Sequence, residues 1–197
     1  MIIEFPYDRE RAVEYAKKWA LSRNPLFLDF TGRGGNCTNF VSQCLLAGSG
    51  VMDFTPTFGW YYRSPSDRAP AWTSVESLFD FLTDSGDFAG MDKQGPFAQP
   101  VTSPEQIEIG DVIQLANSSG DFYHTLMISG FTDNDILVCA QSDNALDRPL
   151  SSYPYASLRI LHIVAVALKL PLDNSFFPLL DGTDLRSVIA ADVSVKG

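Results

Sequence analysis

The order of the sequence patterns predicts an α+β domain in which N-terminal helices pack on a C-terminal antiparallel β-sheet. In the first part of the chain, three stretches carry apolar side chains at the spacing of a helix face. From residue 110 onward the period changes, and short apolar, β-branched runs alternate with turn residues. Helices followed by a meander of strands are typical of α+β architecture.

The first predicted helix is amphipathic and spans residues 7–22. Its apolar residues lie mainly on one side, and its charged residues lie on the other. Asp8 caps its start, and the Asn24-Pro25 pair ends it, because a residue before proline disfavours helical geometry. We expect a short extended segment at residues 26–30.

The second predicted helix begins at Cys37 and is mostly apolar. Asn36 stands at the N-cap position, and Gly48 is the predicted stop. A loop over residues 48–71 follows, rich in glycine, proline and aromatic residues. Trp60 within it is a candidate wall of a substrate groove, although such loops also serve as surface covers pinned by aromatic anchors.

The third helix is predicted over residues 74–83, and the second half of the chain is predicted to form the sheet. The predicted strands lie at residues 110–115, 124–131, 136–141 and 158–170. We therefore expect one domain over residues 1–170 and a C-terminal tail, 171–197, that packs on its surface.

Composition excludes several classes of function. The chain has 197 residues, a formal net charge of −10 and 45% hydrophobic residues, which suits a soluble domain with a substantial core and disfavours nucleic acid or anionic membrane as a partner. No stretch resembles a signal peptide or a membrane-spanning helix. Two histidines and three scattered cysteines lack zinc-ligand spacing, so we expect no metal or cofactor. The localisation stays open.

Cys37 is the first candidate for chemistry, because it lies in the first turn of a predicted helix. Unpaired N–H groups and the helix dipole would stabilise a thiolate at that position. The alternative is a small buried cysteine that happens to begin a core helix. Cys44 and Cys139 do not lie at a helix start and are predicted to be core residues.

His124 opens a predicted strand and is the candidate base for this thiol. A two-residue or four-residue hairpin loop pairs it with Asp143, whereas a three-residue loop pairs it with Asn144. Gln141 shares the face of Asp143 and lies diagonal to His124. His162, flanked by apolar strand residues, is a rival base that is more typical of a core position.

Residues 35–44, with the sequence GNCTNFVSQC, carry a family resemblance. Together with the upstream helix and the Asn24-Pro25 pair, they strongly resemble the Putative amidase domain family, which is grouped with the NlpC/P60 and CHAP-type papain-like cysteine peptidases. The strands that begin near Gly110 and His124 follow in the order that such domains use. The resemblance covers about residues 7–166.

The resemblance implies a papain-like fold with Cys37 as nucleophile and His124 as base. The family often has histidine at the position aligned with Gln141, and related domains accept glutamine there, so the third member stays open among Gln141, Asp143 and Asn144. Gln141 ranks slightly ahead. The Cys37 backbone N–H, with Asn36 as a candidate second donor, would stabilise the oxyanion.

The implied function is hydrolysis of amide bonds in peptidoglycan or related cell-wall peptides. Two alternatives stay open. The same dyad would serve an acyltransferase or transpeptidase, and an inactive domain of this fold would bind cell-wall fragments without cleaving them. We expect a peptide or peptidoglycan-fragment substrate and a monomeric protein.

Overall fold

The computed structural model describes residues 2–170, which form four helices and nine strands. The helices are α1 (Arg9–Trp19), α2 (Cys37–Ser49), α3 (Pro70–Thr73) and α4 (Val75–Thr83). The strands are β1 (Ile2–Phe5), β2 (Tyr62–Ser64), β3 (Asp67–Arg68), β4 (Gly95–Val101), β5 (Val112–Ala116), β6 (Phe122–Phe131), β7 (Ile136–Ala140), β8 (Ala145–Pro149) and β9 (Ser157–Lys169). The predicted tail, 171–197, lies outside the described residues.

Seven strands join in one antiparallel sheet, which confirms the predicted α+β class. Their order is β1-β9-β5-β6-β7-β8, and β4 pairs with β9. Strands β2 and β3 form a separate hairpin. All four predicted strands are present within two residues of their predicted ends. Strands β1, β4 and β8 were not predicted. Strand β4 contains two prolines, which a strand with a single neighbour in the sheet tolerates.

The predicted extended segment at residues 26–30 is wrong. The Phe27 N–H donates to the Asn24 carbonyl, and other backbone N–H groups of the segment donate to side chains, so none pairs with a neighbouring strand. The Leu28 N–H donates to Tyr62 Oη at 3.0 Å, and the Phe30 N–H donates to Asn36 Oδ1 at 3.0 Å. The segment therefore begins in a turn and continues without regular secondary structure to Phe30, which Asn36 connects to the start of α2.

Helix α2 is buried on nearly every side. Its apolar residues Phe40, Val41 and Cys44 have no exposed surface and join α1 and the sheet in one core. The helix passes the predicted stop at Gly48, where a Cβ would collide with the Tyr7 ring. It ends at Gly50, whose φ of 68° lies in the left-handed region.

The sheet buries both of its faces, because successive side chains point to opposite sides. Met127 and Cys139 belong to the core under the helices. Leu126 and Val138 belong to a second cluster on the opposite face, which Tyr153 helps to close. Helix α2 lies against β6, where Thr38 Oγ1 is 2.9 Å from Thr125 Oγ1. This contact brings the start of α2 to the same region as the first residues of β6.

Candidate active site

The Cys37 thiol lies at the start of helix α2, as the sequence predicted. Cys37 is the first residue of α2, and the helix's first backbone bond runs from the Phe40 N–H to the Asn36 carbonyl at 2.9 Å. The N–H groups of residues 37–39 therefore have no acceptor within the helix. Cys37 is buried, with 7% of its surface exposed, and its Sγ lies 3.9 Å from Thr38 Oγ1.

Two glycines and a serine shape the approach to this helix start. Gly34 and Gly35 both have φ of 101°, which only glycine adopts easily. Ser142 packs beside them with φ of 87°, and its Oγ accepts the Asn36 N–H at 2.6 Å. This bond connects the residues after β7 to the start of α2. It holds Ser142 in its strained backbone conformation next to Cys37.

The Asn36 side chain points into the protein, which corrects its predicted role in substrate binding. Its Oδ1 accepts hydrogen bonds from the Phe30 N–H at 3.0 Å and Asn39 Nδ2 at 2.8 Å, and its Nδ2 donates to Gln141 Oε1. The side chain makes no capping bond to its own helix, although Asn36 occupies the predicted N-cap position. Only 1% of Asn36 is exposed, and it does not line the pocket that contains Cys37, so its amide positions the loop before that residue.

His124 shares a pocket with Cys37. The pocket has a volume of about 380 Å³ and is also lined by Ser142, Asp143 and Arg148. In the described structure no hydrogen bond joins the thiol to the imidazole, and such bonds are often long before substrate binds. The arrangement brings together a thiol, an imidazole and charged groups around one open pocket.

Burial controls the protonation of His124. The ring centroid lies 6.1 Å from that of Tyr123 and 5.9 Å from that of Tyr153. Burial lowers the pKa of His124 to about 4, while the Asp143 carboxylate raises it and the Arg148 cation lowers it further. The imidazole is therefore neutral at neutral pH and able to accept a proton.

A β-bulge changes the predicted partner of His124. The β6–β7 hairpin starts in the expected register, with Phe131 opposite Ile136 across a four-residue loop. The register shifts by one residue between Ile128 and Gly130. The predicted pairing of His124 with Asp143 is therefore wrong as a strand register, although both residues line the same pocket.

Gln141 does not orient the imidazole, which corrects its predicted place beside His124. Its Oε1 accepts from Asn36, and its Nε2 donates to the carbonyls of Trp19 at 2.7 Å and Ser22 at 2.8 Å. The amide is 2% exposed and joins the end of α1 to the start of α2. Asp143, in contrast, lines the pocket with His124, and its carboxylate raises the pKa of that imidazole.

Asn144 and His162, the other candidates, have partners elsewhere. Asn144 Oδ1 accepts from Arg23 Nη1 at 2.9 Å. His162 Nδ1 lies 2.9 Å from Asp111 Oδ2, which is a buried polar partner that the sequence did not reveal. Neither residue lines the pocket that contains Cys37.

Trp60 is a core residue, so its predicted role as a groove wall is wrong. It has no exposed surface, and its indole N–H donates to Ser42 Oγ at 3.1 Å. Its ring packs 5.0 Å from the centroid of Trp72 and 6.0 Å from that of Phe81. The aromatic loop thus supports α2 from behind.

Arg148 and Tyr153 are among the pocket residues that sequence reasoning missed. They lie on β8 and just after the following 3-10 turn, in a segment that carried no recognisable pattern. An arginine close to an aromatic residue was the available signal, and it is too common to identify a site by itself.

Within residues 2–170, no cluster of three or more potential ligands is arranged to hold a metal. No helix in that range combines the length and hydrophobicity that a membrane crossing requires. Cys44 and Cys139 are buried core thiols, as predicted, and burial raises the pKa of both. Cys37 is therefore the cysteine that lines the pocket with a histidine.

The amino-acid sequence of this α+β domain matches the model of a known protein family. The model of the Putative amidase domain family covers residues 6–164, so the chain belongs to that family, whose description indicates an amide-cleaving hydrolase. A relative is Uncharacterized protein YhbB from Bacillus subtilis (strain 168), which is 38% identical over 127 residues. The match covers 63% of this chain and 37% of that protein. No solved structure matches the chain.

Proposed function

We propose that this protein is a cysteine amidase that cleaves amide bonds in peptidoglycan or related cell-wall peptides, and that its fold is of the papain-like NlpC/P60 and CHAP type. The observation that carries the proposal is the shared pocket of Cys37 and His124, with the thiol at a helix start and the imidazole on the adjacent sheet. A neutral imidazole beside a helix-start thiol suits nucleophilic attack on a carbonyl.

In the proposed reaction, His124 takes the proton from Cys37 Sγ while the sulfur attacks the carbonyl carbon. The first-turn N–H groups of α2, led by that of Cys37, stabilise the negative oxygen of the tetrahedral intermediate. The carbon–nitrogen bond then breaks, and His124 gives its proton to the leaving amine. A thioester to Cys37 remains.

Water completes the cycle. His124 takes a proton from a water molecule, whose oxygen attacks the thioester carbon. The carbon–sulfur bond breaks, the proton returns to the Cys37 sulfur, and a carboxylic acid leaves. Asp143 stabilises the imidazolium that forms in both halves of the cycle, because its carboxylate raises the pKa of His124.

The test replaces Cys37 by alanine and measures both turnover of peptide amides and alkylation by iodoacetamide. Cys37→Ala should abolish turnover and remove the labelling of the folded protein, because Cys44 and Cys139 are fully buried. Cys44→Ala is the matched control and should retain both. Undiminished amidase activity in Cys37→Ala would refute the proposal. Product analysis with an added amine distinguishes hydrolysis from acyl transfer.

A further inference from the structure

The pocket beside Cys37 contains a cation, Arg148, with no acidic partner among residues 2–170. Arg148 donates from Nε to Ser152 Oγ at 2.8 Å and from Nη2 to the Ser152 carbonyl at 3.0 Å. Within the described residues, no carboxylate lies at ion-pair distance from its guanidinium. In a chain whose net charge is −10, this leaves the Nη1 side of Arg148 available to an anion.

A second donor lies against the same guanidinium. The Arg148 Cζ is 3.9 Å from the centroid of the Tyr153 ring, and both residues line the pocket. The Tyr153 hydroxyl is buried and, within the described residues, its O–H donates to no acceptor. Burial raises the pKa of Tyr153, against the opposing effect of Arg148, so the hydroxyl stays protonated. An unpaired buried hydroxyl is unfavourable until an acceptor reaches it.

We propose that Arg148 and Tyr153 form a carboxylate-binding subsite beside Cys37, and that the preferred substrates are amides with a carboxylate close to the scissile bond. A planar guanidinium with a neighbouring O–H donor matches the oxygens of a carboxylate. The proposal rests on the proposed function, since it takes Cys37 as the reacting group. Asp143 also lines the pocket, and its negative charge opposes the anion that Arg148 and Tyr153 would bind.

The first test compares two alkylating agents that differ in charge. Iodoacetate and iodoacetamide both form a carbon–sulfur bond with release of iodide, but only iodoacetate has a carboxylate. Arg148→Gln should lower the ratio of the iodoacetate rate constant to the iodoacetamide rate constant at Cys37 about tenfold, equivalent to about 1.4 kcal/mol. Arg63→Gln removes the same charge from an exposed hairpin and should keep the wild-type ratio. An unchanged ratio in Arg148→Gln, or an equal fall in both variants, would overturn the subsite.

The second test does not depend on the reactivity of Cys37. In the Cys37→Ala background, N-acetylglycinate should shift the Arg148 Nε–H resonance in an NMR titration, and uncharged N-acetylglycinamide should not. In the alkylation test, where Cys37 is present, Arg148→Lys keeps the charge without the planar fork, so it should retain part of the iodoacetate preference. No difference between the two probes would refute the subsite, whereas active Cys37→Ala protein would refute the proposed mechanism alone.

Discussion

At the scale of the residue, the depressed pKa of His124 predicts a dependence of stability on pH. Its pKa is about 4 in the folded protein and 6.5 in a model peptide. The unfolded chain therefore binds a proton between these values while the folded protein does not. The stability contributed by the neutral imidazole is complete above pH 6.5 and is lost as the pH falls towards 4.

This loss can be measured by urea unfolding at pH 7.5 and pH 4. Wild-type protein should lose about 3 kcal/mol more unfolding free energy over this range than His124→Gln, which has no titrating group there. The difference between the two proteins removes the contribution of the carboxylates that titrate in the same range. Parallel loss of stability in both proteins would contradict the buried neutral histidine.

At the scale of the element, Gln141 connects secondary-structure elements through hydrogen bonds, whereas Asp143 acts on His124 through its charge. Gln141 connects α1, α2 and the end of β7 through bonds to Asn36, Trp19 and Ser22. Gln141→Leu should lower the unfolding free energy by about 3 kcal/mol, because it leaves buried polar groups unpaired. Asp143 is exposed and acts through charge, so Asp143→Asn should leave unfolding close to wild type.

Activity should distinguish the same two variants in the reverse order, with the larger loss in Asp143→Asn. Asp143→Asn should reduce the alkylation rate of Cys37 and amide turnover at pH 7 by about tenfold or more, because the Asp143 carboxylate raises the pKa of the proposed base, His124. Asp133→Asn, in the remote β6–β7 turn, is the matched control for loss of a carboxylate. A full catalytic loss in folded Gln141→Leu with none in Asp143→Asn would return the third role to Gln141.

Elements with a periodic pattern could be predicted from the sequence, and long-range partners could not. The helix that begins at Cys37 and the strand that contains His124 were both predicted, because their signals are local. The bulge near Ser129 has no local signature, yet it altered the pairing on which the partner of His124 depended. Trp60 was misplaced for a similar reason, since the sequence does not show that Ser42 would accept its N–H.

At the scale of the whole molecule, Asp111 joins distant parts of the chain. Its Oδ1 accepts from Arg9 Nη1 at 2.6 Å and from the Ile163 N–H at 3.0 Å. Its Oδ2 accepts from the Glu108 N–H at 2.9 Å and lies 2.9 Å from His162 Nδ1. This fully buried carboxylate therefore connects α1, the turn before β5, and β9.

Asp111→Asn should lower the unfolding free energy by about 3–5 kcal/mol, the usual cost of breaking a buried ion pair from one side. The substitution keeps the side-chain shape. The fall in unfolding free energy therefore measures the loss of the negative charge and of one acceptor oxygen, which the Asn amide replaces with an NH₂ group. Urea unfolding at pH 7 measures it, and the folded fraction should still alkylate at Cys37, because Asp111 does not line that pocket.

The matched control lies in the same cluster. Glu108 pairs with Arg9 Nε at 2.9 Å, but 56% of its side chain is exposed, so Glu108→Gln should cost less than about 1 kcal/mol. Both substitutions remove one negative charge next to Arg9, so the contrast reports the burial of Asp111 and its additional hydrogen bonds to Ile163, Glu108 and His162. Equal costs would show that the net charge around Arg9, and not the buried hydrogen bonds of Asp111, holds α1 against the sheet.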